Sequence, residues 1–147
     1  MRSDFRDGRF HDPEPLPAPV NDTGIIYNAF IAPDETCLFA CVSGRDPLAP
    51  GMESTYVVFL HNPDGSWSKP FDLVKALNLP CSGAISISIS PDMKYLFFAS
   101  DKRTAKYVSL EPGYNVSTLC DITGQPGNGN SDIFWLNWDE AKKTLKR

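Results

Sequence analysis

Two arginines recur at corresponding places in this chain, and their type and spacing suit ligand binding. Arg45 and Arg103 lie 58 residues apart, and each follows a predicted strand. Guanidinium groups on neighbouring loops can hold a carboxylate through paired hydrogen bonds. Hydrogen bonds from both side chains to loop carbonyl groups are the structural alternative. Arg45 and Arg103 are therefore the candidate binding residues of the sequence, on loops at the rim of the fold.

Motifs of catalysis and metal binding are missing from the sequence. It contains no G-x-S-x-G, H-E-x-x-H, P-loop or S-x-x-K pattern. Of the two histidines, His11 lies in a proline-rich segment and His61 at a predicted strand end. The four cysteines show no C-x-x-C spacing, so we expect neither a metal site nor a cofactor. No residue is assigned a catalytic role.

Two further patterns have both a binding and a structural interpretation. The segment 127–132, GNGNSD, could be part of a phosphate or calcium loop, but a connection in which Asp132 bonds the backbone is preferred. The aromatic residues could form a platform for sugars, whereas packing in the core is the simpler expectation. These aromatic residues are Tyr56, Trp67, Tyr95, Trp135 and Trp138.

Composition limits the class of protein and its partners. The chain has 147 residues, of which 41% are hydrophobic, and a formal net charge of −4. An acidic chain is a poor nucleic-acid binder, because such binding relies on neutralising phosphates. Without an apolar run of roughly 18 residues or a secretory signal at the N-terminus, we expect no membrane span and, for the chain as written, a cytoplasmic location. Thirteen prolines and ten glycines favour an all-β fold of short strands and turns.

The sequence contains an internal repeat with a period of 57 to 58 residues. FIAPDETCLFACVSGR around Pro33 matches SISPDMKYLFFASDKR around Pro91 at six positions with an offset of 58. Segment 8–21 recurs 57 residues later, and an offset of 78 relates Tyr56 to Phe134. The repeat therefore spans several strands, and the second unit carries a long loop at about 102–130.

Each repeat is predicted to form strands joined by tight turns. Ile85, Ile87 and Ile89 alternate with serines, which is typical of a strand with one apolar face. Pro33-Asp34 and Pro91-Asp92 are predicted turns whose aspartates bond nearby backbone amides. Strands are predicted at 24–32, 37–43, 55–61 and 66–73 in the first unit and at 83–90, 94–100 and 132–138 in the second, before a C-terminal helix at 139–147.

The segment 90–100, SPDMKYLFFAS, resembles the S-P-D-G-K-Y-L-F-F-x-S signature of the TolB-like, WD-repeat-like β-propeller family. Segments 62–70 and 127–135 resemble its D-G-x-W-x-x-P and G-x-G-x-x-D-I-Y-W motifs, so the resemblance covers about 8–138. It implies a propeller of four-stranded blades, often in exported or periplasmic bacterial proteins, that binds or scaffolds more often than it catalyses. Glu35 and Met93 replace the signature glycine, so neither turn is expected to need a left-handed residue.

The repeat length predicts an incomplete propeller. Dividing 147 residues by 57 gives about 2.6 units, whereas propellers close with roughly four to eight blades. We predict about two and a half blades, completed by missing blades or by further copies of the chain. The predicted divisions are the last strand of a preceding blade at 8–23, a complete blade at 24–78, a further blade at 83–138 and a helical tail at 139–147.

The function expected from these features is a non-catalytic binding or interaction module. It would contact a protein or a small ligand through the loop rim of a TolB-like propeller, with no nucleic-acid partner. The alternative is a segment of a propeller-containing hydrolase that acts on glycans or peptides. A remnant without a stable fold is a third interpretation, because the ring is incomplete.

Overall fold

A computed structural model describes residues 1–44, 54–81, 83–102 and 115–145 of the chain. These residues are mostly β-structure, in three antiparallel sheets. The elements in chain order are β1 (Phe5–Arg6), β2 (Arg9–Phe10), β3 (Ile25–Ile31), β4 (Cys37–Ser43), β5 (Ser54–Leu60), β6 (Phe71–Asp72), α1 (Leu73–Leu77), β7 (Ile87–Ile89), β8 (Tyr95–Ser100), α2 (Val116–Thr123), β9 (Asp132–Asn137) and α3 (Trp138–Leu145).

The first sheet is a four-stranded meander in the order β3-β4-β5-β6. This confirms the predicted antiparallel sheet, although β6 is shorter than the predicted strand 66–73. Pro70 has no N–H to donate to a ladder, and the Asp72 carboxylate accepts a hydrogen bond from the Lys75 N–H at 3.1 Å. Asp72 therefore ends the strand and begins helix α1.

The second sheet has three strands, in the order β7-β8-β9. The C-terminal helix α3 follows β9 directly, as predicted, and the Asn137 side chain accepts from the Glu140 N–H at 3.1 Å. A further helix, α2, lies within the long connection predicted as a loop at about 102–130. The fold is therefore mostly β, with three short helices among the described residues.

Strand register shows how the two sheets are related. Ile31 lies opposite Leu38 in the first sheet, and Ile89 lies opposite Leu96 in the second. Both pairs are related by the offset of 58, so β3-β4 and β7-β8 are equivalent hairpins. The predicted offset of 78 between the third strands is wrong by one residue. Val58 pairs with Phe39, and Trp135 pairs with Phe97, the equivalent of Phe39, so Trp135 is the equivalent of Val58. The correct offset is 77, and a slip of one residue exchanges the two faces of a strand.

The main hydrophobic core lies between the two sheets. The first sheet contributes its inner face to this core. The residues that the second sheet contributes correspond in the repeat to the outer face of the first sheet, as Leu96 corresponds to Leu38. The sheets therefore stack in the same sense. Residues of α3 complete this core. Its buried members include Phe39, Cys41, Tyr56, Val58, Ile87, Ile89, Leu96, Phe98, Trp138 and Leu145.

A second, smaller core covers the outer face of the first sheet. Val20 is buried there, and Leu16 and Trp67 pack against it. Strands β4 and β5 are consequently covered on both faces, which suits their nearly continuous apolar runs. The buried residues on the sheet side are Leu38, Ala40, Val42, Val57 and Phe59.

The N-terminal segment differs from the last strand of a preceding blade that the repeat predicted within 8–23. Its strand β2 ends at Phe10 and pairs with β1 in a small hairpin. Residues 13, 15, 17 and 19 are prolines, which cannot donate to a sheet ladder. Residues 11–17 are therefore irregular apart from a bridge between Glu14 and Arg2, a turn follows at 18–22, and Val20 is the buried anchor of the segment.

The two equivalent turns confirm one prediction and correct another. The Asp34 carboxylate accepts from the N–H of Thr36 at 3.1 Å, and that of Asp92 accepts from the N–H of Lys94 at 3.2 Å, so both aspartates stabilise the turns. However, Glu35 has φ of 56° and Met93 has φ of 61°. Both turns do require a left-handed residue, and non-glycine residues supply it.

Candidate functional site

The predicted rim residues Arg45 and Arg103 lie outside the described residues. The strand ends that precede them are described. Strand β4 ends at Ser43, which pairs with Ser54, and β8 ends at Ser100. Because Tyr56 of the first sheet donates to the Ala99 carbonyl at 2.7 Å, these two strand ends lie at the same end of the stack.

Tyr56 is the central polar link between the two sheets. Its ring is fully buried, and its hydroxyl accepts from the N–H groups of Ile85 at 3.0 Å and Ser86 at 3.3 Å while it donates to Ala99. One hydroxyl thus makes all three hydrogen bonds that its chemistry allows. Burial raises the pKa of Tyr56 to about 12, so the group remains a neutral donor at physiological pH.

Three more polar side chains of the first sheet hold the same segment of the second. The hydroxyl of Tyr27 donates to the Ala84 carbonyl at 2.8 Å, and the amide of Asn28 donates to the Ile85 carbonyl at 2.6 Å. The Ser54 hydroxyl accepts from the Ala84 N–H at 2.6 Å. Residues 84–86 are therefore fixed to the first sheet by side-chain hydrogen bonds, not by a strand ladder.

The second sheet has one apolar face that no other described element covers. On β9 the side chains alternate, with Phe134 and Leu136 in the core and Ile133 and Trp135 exposed. Ile133 is 79% exposed and Trp135 is 63% exposed. We call this surface the open face. It consists of Ser88, Tyr95, Phe97, Ile133, Trp135 and Asn137, whereas Ala99 on the same side of β8 is buried.

The aromatic residues do not form one platform. Tyr56 and Trp138 are in the core, whereas Trp67 packs against the outer core and stacks on His61 at 4.6 Å between ring centroids. Only Tyr95 and Trp135 lie together on the open face, edge to face with centroids 5.3 Å apart. The structure therefore separates the predicted aromatic set into a core pair, a surface pair and Trp67.

A cleft of about 480 Å³ lies between the N-terminal segment and the first sheet. Leu16, Pro17 and Val20 line one side, and Ile26, Leu38 and Trp67 line the other. Arg2, Glu35 and His61 are the charged or titratable side chains in its wall. Its volume is within the usual range for a small-ligand site, about 300–1,000 Å³.

The remaining candidate groups have structural roles. Burial raises the pKa of Cys37 and of Cys41 to about 11, which fits small hydrophobic core residues better than nucleophiles. Asp132 accepts from the Gly127 N–H at 2.6 Å, which is the predicted backbone contact. Within the described ranges, no three or more His, Cys, Asp or Glu side chains are grouped as metal ligands. Among the same residues, no helix is long and apolar enough to cross a membrane.

Sequence reasoning missed the open face. Correct pairing of β9 with β8 places Trp135 opposite Phe97 and Ile133 opposite Ala99 on one surface. The offset of 78 relates Trp135 to Val57 on the outer face of the first sheet, whereas the observed register relates it to Val58 on the inner face. Strand register, which the hydrophobic pattern of β9 alone does not determine, was the missing information.

Comparisons with known proteins give no relative for this chain. No protein-family model matches it, and no curated protein and no solved structure is significantly similar to it.

Proposed function

We propose that this chain is a non-catalytic binding module, built as part of a TolB-like β-propeller, that contacts a protein or small ligand through its loop rim. The observation that carries this proposal is the stacking of two equivalent hairpins in the same sense. Propeller blades stack in this way, so that each blade is covered by its neighbours. The two Pro-Asp turns and the 57 to 58 residue period support the same architecture.

The strand ends support the rim as the site. Strands β4 and β8 end on the same side of the stack, and Arg45 and Arg103 follow them in the sequence. Loops on a rigid scaffold commonly carry binding residues. The chemistry that two arginines suit is a carboxylate, and we propose a peptide with a free C-terminal carboxylate as the ligand class.

The test compares carboxylate ligands on matched variants. A library of short peptides with free C-termini, and the same peptides with amidated C-termini, is screened by thermal shift on the wild type. We expect stabilisation by free-carboxylate peptides only, and its loss in an Arg45→Ala, Arg103→Ala double variant. An Arg6→Ala, Arg9→Ala variant is the control, because it loses the same charge from the N-terminal hairpin.

Three results would contradict the proposed function. Peptides that bind the double variant as well as the wild type, or a library without any binder, would remove the rim site. Turnover of peptide or glycan substrates by the purified wild type would contradict the non-catalytic assignment. Mass spectrometry of the peptides after incubation measures the first of these activities, and reducing-sugar release measures the second.

A further inference from the structure

We draw no further inference here: the strongest candidate, the apolar open face of the β7-β8-β9 sheet around Ile133 and Trp135, is an unpartnered surface, and nothing in the structure shows what covers it.

Discussion

Glu35 and Met93 hold equivalent turn positions in a backbone conformation that favours glycine. Their φ angles of 56° and 61° place them in the left-handed region, where a Cβ costs roughly 1–2 kcal/mol. The aspartate before each residue compensates, because it bonds the backbone beyond the turn. Both turns thus keep the left-handed conformation although neither has the glycine of the sequence signature. The absence of glycine therefore led to the wrong prediction that no left-handed residue was needed.

Replacing the exposed Glu35 by glycine should stabilise the protein. Glycine removes the left-handed strain, but it also increases the entropy of the unfolded chain by about 0.4–1 kcal/mol. We expect a net gain of about 0.5–1 kcal/mol in the free energy of unfolding, measured by urea denaturation. Glu35→Ala is the control, since alanine keeps the Cβ and should give no gain. Equal stability of the two variants would show that the turn is not strained.

The carboxylate of Asp34 should make stability depend on acid pH. The hydrogen bond from the Thr36 hydroxyl, 2.7 Å long, is the main reason that the pKa of Asp34 lies below its usual 3.8. A lowered pKa means that the folded state favours the ionised form. Its contribution is therefore complete above about pH 4 and is lost as the pH falls through the folded value.

Acid titration of unfolding, followed by circular dichroism, measures this dependence. Thr36→Val removes the hydroxyl that has the largest effect on Asp34, so stability should fall less steeply below pH 4 than in the wild type. Asp34→Asn keeps an acceptor oxygen but has no titrating charge, so the dependence of its stability on pH should also be weaker below pH 4. A wild-type slope in both variants would show that other carboxylates determine acid unfolding.

Tyr56 joins the two sheets, so its hydroxyl acts at the scale of whole elements. Tyr56→Phe would leave the N–H groups of Ile85 and Ser86 and the carbonyl of Ala99 without this partner in the interior. Each unsatisfied buried group costs about 1–3 kcal/mol. We expect a loss of about 2–4 kcal/mol in the free energy of unfolding. Tyr27→Phe is the control, because a single hydrogen bond from a half-buried ring should cost only about 1 kcal/mol.

The same hydroxyl predicts a response to alkaline pH. Burial raises the pKa of Tyr56 from 10.0 to about 12. The neutral form is favoured in the folded state, so its contribution is complete below about pH 10 and is lost as the pH rises toward 12. Wild-type stability should therefore fall by up to about 1.4 kcal/mol per pH unit more steeply in this range than that of Tyr56→Phe. Parallel curves for the two proteins would contradict the assignment.

Much of the element structure could be predicted from the sequence, and the failures have physical causes. Period-2 alternation and the two Pro-Asp turns located β3, β4, β7 and β8, because those signals are local. The register of β9 was misplaced by one residue. The long connection before β9 changes the offset between the repeats, so the offset of the first two strands does not determine that of the third. Prolines 13 to 19 prevented the predicted strand near the N-terminus. The open face could not be predicted, because its exposure depends on which surfaces meet in the folded protein. The residues of β9 alternate in the same way as those of a strand whose faces are covered.

At the scale of the whole molecule, helix α3 ties the two sheets into one core. Trp138, Ala141 and Leu145 are its buried residues, spaced three and four apart along one helix face. Trp138 contacts Phe39 of the first sheet edge to face, with ring centroids 5.1 Å apart. The same buried cluster includes Leu96 and Phe98 of the second sheet. The two sheets should therefore unfold as one cooperative unit.

Leu145→Ala tests this cooperativity from the end of α3. Removing its buried side chain should lower the free energy of unfolding by about 2–4 kcal/mol. Amide hydrogen exchange should then accelerate in β4 and in β8, by about the same factor in both strands. Thr144→Ala, at the neighbouring exposed position, should leave both strands unchanged. If protection fell only in one sheet, the repeats would be independent units that pack without sharing stability. Equal loss in both sheets means that neither repeat is stable alone, because each depends on the apolar face that its neighbour covers.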